Sequence, residues 1–504
     1  MSRSPTAAWA WLVGASLTLL AGVGLAGESA AAPAPGGSGW WGFDLRPSSA
    51  LVTGLLWAGY LLGGAGLIVG LRSVRQLPRW PVAGAALAVA GAGLIVAPFG
   101  SADHLSYAAY GRIKALGGDP YTQAPQTWPG GTDPVLAAAQ PPWADTVSVY
   151  GPVGTALHTL ASAAGGDSVR GTVWWWQLVC AGCYLLVAVL AHRMAAGSIE
   201  RSRVVVAWTL NPLVIGVGLF GAHIDLVAVA FVLLAAWASV RHPAVAGAAA
   251  AAALSTKLPY GVAGLGLLLA LRVHTGSRWR AFGWGTAGAL AVLLPAHLWT
   301  GLHTYDQTLT ATGYTSLASP WRSVVNLATL LQDAYGVHLP VAAQARSFVL
   351  ALAPVLMVLA AAALWLLTSA RASGMPARTV HADQGIVLRT VLVAGGGWVL
   401  ATPYVLPWYD LMLWGPLAVL TFAPVAGSAQ LWLAARCTVL CLAYVPGRVE
   451  GMSAEVERVS LAVRAVVAPA VLLVTGVALL VLAARSLSAR RASRSAREAA
   501  PAPP

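Results

Sequence analysis

Apolar residues in this chain come in long blocks divided by short polar intervals. The blocks fall at about 7–27, 49–71, 81–99, 170–192, 203–220, 224–240, 243–256, 258–271, 281–299, 346–369, 388–405, 409–425, 428–446 and 462–485. Repeated apolar runs of about 20 residues are the signature of helices that cross a bilayer. Backbone groups in lipid must be satisfied within the segment, so spanning segments bundle as helices. The pattern predicts an all-α polytopic membrane protein with about 13–14 transmembrane helices. One domain is expected over residues 1–485, followed by a disordered basic tail at 486–504. The first block, preceded by Arg3, reads as an anchor; a cleaved signal ending near Ala30–Ala32 is the alternative.

Two polar intervals are long, 101–169 and 300–345. The first carries the turn sequences DPY, WPGG, QPP and YGP, so short helices at the membrane surface are expected there. Residues 152–166 are too short to span and read as a surface or re-entrant helix. The Gly/Pro/Ala-rich interval 28–48 contains Trp40–Trp41, an interfacial anchor.

Composition supports the pattern. The chain is 58% apolar and only 9% charged, with a mean hydropathy of +0.71; a soluble domain carries roughly a quarter charged residues. The net charge of +13 suggests nucleic acid only until the positions are read. With both termini cytoplasmic, 19 of the 30 Lys/Arg fall inside, 10 outside, and Arg436 within a span, whereas 14 of the 17 acids fall outside. The inside clusters are Arg72/Arg75/Arg79, Arg193/Arg201/Arg203, Arg272/Arg278/Arg280, Arg371/Arg378/Arg389 and Arg485 to Arg497. Basic loops stay cytoplasmic, so the excess is a topology signal and a contact for anionic lipid, not for nucleic acid. Cys180/Cys183 and Cys437/Cys441 sit at helical spacing in apolar runs and read as packing residues rather than a redox or metal pair.

The outer side holds the chemistry. Ser101–Tyr121, SADHLSYAAYGRIKALGGDPY, follows a clean apolar run yet packs two Asp, one Arg, one Lys, one His and three Tyr. Ionisable residues at span ends are site candidates by default. Here Asp103, His104, Arg112, Lys114, Asp119, Asp133, His223, Asp225, Lys257, Arg322 and Asp410 share one face. Asp103, about four residues past a span, is placed to take a proton from a hydroxyl acceptor at a lipid head group; capping the helix 104–116 is its structural alternative. Lys257, at a hairpin tip, offers a point charge to a phosphate or snorkels to the interface. Arg322, after Ser-Pro-Trp, offers a fork for phosphate oxygens. His223 and Asp225 are too few ligands for a metal and suit hydrogen bonding to sugar or phosphate, or capping. Asp119-Pro-Tyr reads as a turn, while Tyr107, Tyr110, Tyr121 and Tyr150 either stack on sugar faces or belong to an aromatic belt. A Gly-rich phosphate loop, a zinc motif and a cytoplasmic nucleotide-sugar domain are all missing, which argues against a soluble nucleotide sugar as donor.

The run DHLSYAAYGRIKALGGDPY, then DP (133–134), YGPV (150–153), NPLVIGVGLFGAHID (211–225), TKLP (256–259) and LPWYDLMLW (406–414), in order over about 95–415, resembles the actinobacterial polyprenol-phosphomannose-dependent α-1,6-mannosyltransferases. These are GT-C-type membrane enzymes. The resemblance implies a GT-C-like bundle, polyprenyl phosphomannose as donor on the extracytoplasmic face, and a mannan or lipoglycan acceptor. It implies transfer with inversion, Asp103 as general base, and no cofactor, with a divalent metal left open. Lys257, Arg112 and Arg322 would stabilise the donor phosphate. His104, Tyr110, Asp119, Tyr121, Tyr150, His223, Asp225, Trp408 and Tyr409 would line the substrate site. The chain shows GAHID where the family tends to GAHND, and LPWY where it tends to QPWY, so another sugar or acceptor stays open. A transporter of lipid-linked sugars would place ionisable groups near the membrane midplane, and a scaffold would leave the 101–121 cluster without a role.

Overall fold

The computed structural model describes residues 4–29, 42–77, 82–129, 132–195, 197–335, 341–368, 381–420, 427–447 and 452–498. Trp40–Trp41, Ala30–Ala32, Arg79, Arg371 and Arg378 lie outside the described residues. Within them the regular structure is helical, with no strand. The chain is therefore an all-α polytopic membrane protein. Among the described residues eight helices are long and apolar enough to cross a bilayer, and five more apolar helices run 10–17 residues. Each predicted apolar block coincides with a helix, although several helices are shorter than the block.

α1 (Pro5–Leu25) and α2 (Ser49–Ser73) pack antiparallel. Gly59, Gly66 and Gly70 of α2 face Leu20, Val13 and Trp9 of α1 in reverse order. Without a hydrophobic driving force between helices in lipid, such small residues let backbones close up. α3 (Val82–Ile95) leads out of the bundle at what we term its site end. Its last carbonyls are taken by a single side chain: Gln177 Nε2 donates to Gly93 O and Val96 O, both at 2.7 Å. That bond satisfies orphan helix-end acceptors and sets the direction in which the chain leaves.

Beyond it lie α4 (Asp103–Ala115) and α5 (Pro152–Gly165), the short helices expected of the first polar interval. They approach so closely that a Cβ at Gly111 would sit 2.2 Å from His158 O. α6 (Val169–Met194) returns through the bundle, and α7 (Ser198–Phe220) follows. α7 is broken at Asn211–Pro212, where proline has no N–H to give; Asn211 Oδ1 accepts from Leu213 N and Nδ2 donates to Ala207 O. α7 is the centre of the bundle, with 89% of its apolar window buried, against 6% for α11 (Arg278–Thr300).

Between them run α8 (Asp225–Ala238), α9 (Pro243–Thr256) and α10 (Leu258–Ala270). The second polar interval folds α12 (Pro320–Tyr335), an amphipathic helix with Val324, Leu327, Leu330 and Leu331 exposed. α13 (Val341–Leu367), α14 (Ala382–Ala401), α15 (Leu411–Val419) and α16 (Ala429–Tyr444) complete the bundle, with a last helix from Ala454. That last helix continues to Glu498, so the segment from 486, expected to lack structure, is helical that far. Its apolar stretch simply runs on into an Arg/Ala-rich segment of good helix formers.

Candidate active site

The site end gathers the C-terminal ends of α3, α7, α9 and α14 and the starts of α4, α8 and α10, and its geometry is set from Gly100 onward. Gly100 has φ +97° and lies against the Val445 side chain, a conformation glycine adopts without steric cost. Ala102 is the N-cap of α4 and makes no side-chain cap bond; Asp103 is already the first helical residue. Its carboxylate therefore does not cap the helix. Ser101 Oγ accepts from Asp103 N at 3.2 Å and meets His223 Nε2 at 3.0 Å. His223 Nδ1 lies 2.5 Å from Val217 O, which can only accept. The Nδ1 nitrogen thus carries the proton, and Nε2 receives the Ser101 hydroxyl. Burial lowers the His223 pKa to about 3, so the ring is neutral. Asp103 Oδ2 stands 3.7 Å from Nε2, beyond hydrogen-bond reach.

Asp103 is buried, with 11% of its side chain exposed. Burial drives its carboxyl up to about 7; the Lys257 charge opposes the rise, the Asp225 charge adds to it, and the Tyr107 and Trp143 side chains oppose it. A carboxyl balanced near neutrality is a proton acceptor in the working range.

Asp225 has the opposite surroundings. Lys257 Nζ grips both its oxygens at 2.9 and 2.8 Å, and the Tyr260 hydroxyl donates to Oδ1 at 3.0 Å. The ammonium also sits 4.2 Å from the Tyr409 ring centroid, and Trp408 stacks on His223 at 3.8 Å. The YGPV turn makes this packing possible: a Cβ at Gly151 would lie 2.3 Å from Ser255 O. The LPWYD turn is held from below by the mid-span Arg436, which donates to Asp410 and, at 2.8 Å, to Val399 O. The GAHID turn is strained, with Ala222 at φ +51°, and is pinned by Trp176 Nε1 donating to Ala222 O at 2.7 Å.

An aromatic wall continues from Asp103 along α4. Tyr107 stacks on His158 at 4.9 Å and meets Tyr150 edge-on at 5.1 Å, with Trp176 behind. His104 is buried, and burial lowers its pKa to about 4. Tyr110 donates to Thr146 O at 2.8 Å, tying α4 to the loop that carries Trp143. That loop borders a cavity of about 480 Å³ lined by Trp143, Tyr314, Tyr404 and Arg322 among others.

The structure brings Asp103, His104, Tyr150, His223, Asp225, Lys257, Trp408 and Tyr409 together. Arg112 is elsewhere, nine residues on and roughly 14 Å along the α4 axis. It donates to Asp133 Oδ2 at 2.7 Å, to Gly166 O at 3.3 Å and to Asp167. Its charge is already matched. Asp133 also caps a short helix, Pro134–Ala137. Asp119 forms a turn with Tyr121 N at 3.0 Å and meets His303 Nε2 at 2.7 Å, while Tyr121 OH lies 2.7 Å from Thr155 Oγ1. Both belong to the junction of the two long polar intervals. Sequence reasoning missed Ser101, Trp143, His158, Trp176, Tyr260 and Tyr404. A lone His in an apolar stretch and aromatics in loops carry no spacing signal; contact alone reveals them.

Neither the curated proteins nor the solved structures contain a match to this chain. A family model described as "Alpha-(1->6)-mannopyranosyltransferase, N-terminal domain" matches residues 8–273, more than half of the chain and inclusive of Asp103, His223, Asp225 and Lys257. The chain accordingly belongs to the α-(1→6)-mannopyranosyltransferase family and is a membrane glycosyltransferase that transfers mannose.

Proposed function

We propose that the protein transfers mannose from polyprenyl phosphomannose to a mannan or lipoglycan acceptor on the extracytoplasmic face of the cell membrane, with both termini cytoplasmic, forming an α-1,6 linkage with inversion. The observation that carries this reading is Asp103: buried, uncapping, free of any ion-pair partner within hydrogen-bond reach, with its carboxyl near neutrality. Asp103 takes the proton of the acceptor hydroxyl as that oxygen attacks the anomeric carbon. The bond from that carbon to the phosphate oxygen breaks, and polyprenyl phosphate leaves. Phosphate is a competent leaving group, so the site needs charge stabilisation more than a strong acid.

His223, neutral through burial and held in place by Val217 O and Ser101, supports the position of the Asp103 turn rather than a proton relay. Asp225 neutralises Lys257 and fixes the loop that presents Tyr409. Tyr107 and Tyr150 form the wall beside the base, and Trp408 braces His223. Arg322, on the cavity next to Trp143, is the phosphate partner we favour. The positive-inside distribution of Lys/Arg supports the orientation.

The experiment uses the full chain in lipid nanodiscs with polyprenyl phosphomannose and a short α-1,6-mannan. The expected result is mannose transfer with α-linked product by NMR, lost in Asp103→Ala. Transfer that persists in the variant would sink the base assignment. A wild type inert with this donor but active with another lipid-linked sugar would sink the donor assignment.

A further inference from the structure

Most cations at the site end are already matched. Lys257 is paired with Asp225, Arg112 with Asp133 and Asp167, and Arg436 with Asp410. Two are not. Arg322, on the first turn of α12, has its Nε buried without a hydrogen-bond partner. Arg346, near the start of α13, gives one bond, from Nη2 to Gly313 O at 2.9 Å. Among the described residues neither has a carboxylate within ion-pair distance.

Both line the same cavity of about 480 Å³, whose lining contains no acidic residue. That volume falls in the range of roughly 300–1,000 Å³ typical of small-molecule sites. Two guanidinium groups facing one cavity repel each other unless an anion joins them, and their planar forks match phosphate oxygens. The lining is also aromatic. Tyr314 and Tyr404 meet edge-on at 6.1 Å, and Trp143 is shared between this cavity and the surroundings of Asp103.

We infer that Arg322 and Arg346 together form the phosphate subsite of the donor, a role that passes from Lys257 to this pair. The inference rests on the donor reading given above and deepens it. A phosphate ester seated on the two arginines points its other end past Tyr404 and Trp143 toward Asp103. As the bond from sugar to phosphate breaks, charge collects on the oxygens that the guanidinium groups hold. The exposed row Val324, Leu327, Leu330 and Leu331 on α12 gives the adjacent approach an apolar, lipid-facing surface. The phosphate is thus that of a lipid carrier, with a soluble sugar phosphate as the competing source of the same chemistry.

The test measures direct binding to the full chain in nanodiscs, using a polyprenyl monophosphate, mannose 1-phosphate and inorganic phosphate as separate probes. Arg322→Gln and Arg346→Gln are each expected to weaken the polyprenyl monophosphate at least tenfold, with Arg322→Lys and Arg346→Lys recovering part of the loss. Arg112→Gln, whose charge is spent elsewhere, is expected to leave that affinity unchanged. Thermal unfolding of each variant checks the fold, and the lysine variants keep the test valid where glutamine does not fold. Unchanged affinity in the arginine variants, or no binding of any phosphate probe by the wild type, overturns the subsite. Preference for mannose 1-phosphate over the lipid phosphate, lost in the same variants, upholds the subsite and overturns the lipid donor instead.

Discussion

Asp103 and Asp225 are the same chemical group on either side of one histidine, and their neighbours make them opposites. Asp225 is closed: two bonds from Lys257 and one from Tyr260 occupy its oxygens, and 1% of its side chain is exposed. Asp103 is open: among the described residues it has no cation paired to it, its ionisable neighbour His223 Nε2 stands 3.7 Å away and is neutral, and the side chains of Tyr107 and Trp143 beside it are neutral as well. A carboxylate gripped by an ammonium holds structure, whereas one that is buried without a paired cation is available to a substrate proton. Both are buried, so partner geometry, not burial, separates the roles proposed for them.

The comparison breaks most visibly at Asp103. Asp103→Asn keeps shape and removes the proposed base. Transfer is expected to fall by about 10²–10⁴-fold, with donor KM nearly unchanged and folding intact. A radiolabelled mannose transfer assay checks the rate, and a thermal melt checks the fold. A loss confined to stability would make Asp103 the structural residue of the two.

Lys257→Met probes the other side. It leaves the Asp225 charge buried without its partner, a change that costs about 3–5 kcal/mol when a buried pair loses one member. The thermal midpoint is expected to drop, and adding Asp225→Asn is expected to recover part of it. Recovery of stability without recovery of donor binding would return a phosphate role to Lys257.

This contrast shows what was legible beforehand and what was not. Runs of about 20 apolar residues announced the helices, because a bilayer demands that length. Convergence of ionisable span ends announced the site end, because charge at that depth needs a reason. Pairing was hidden. Asp225 finds Lys257 32 residues on, and Arg112 finds Asp167 55 residues on, separations with no periodic signature. His158 lies concealed in an apolar stretch of α5, and nothing in the spacing around Arg346, at the start of α13, marks it out. The capping alternative for Asp103 was equally undecidable from spacing, since it turned on a one-residue shift of the helix start to Asp103 itself.

The pH profile sharpens the comparison further. With its carboxyl raised to about 7, Asp103 is protonated below that value and can no longer act as the proposed base. The logarithm of kcat/KM is expected to fall by about one per pH unit below 7 and to level off above it. The stability contribution runs the other way. The native pKa lies above the value of about 3.9 in an unfolded chain, so the native state holds the proton more firmly between those values. That contribution is full below about 4 and is lost as pH rises through about 7. Melting curves of Asp103→Asn over this window are expected to show a flatter pH dependence than the wild type. An activity profile flat from pH 5 to 8 would remove Asp103 from the proton transfer.

The smallest effect separates matched from unmatched cations. Asp167 is 82% exposed at its side chain, so its bond to Arg112 is screened by water, and Asp167→Asn is expected to cost only about 0.2–1 kcal/mol. Asp133 is 12% exposed, bonds Arg112 Nε and also caps Pro134–Ala137. Asp133→Asn keeps much of the capping function, because asparagine also accepts from helix N–H groups, but it removes the charge. Its cost should exceed that of Asp167→Asn. Neither change frees the arginine for catalysis, since Arg112 lies well along α4 from Asp103, so donor KM should stay within twofold in both variants. A large rise in donor KM from either substitution would mean that the Arg112 cluster reaches the donor, and that a matched cation can still serve the chemistry.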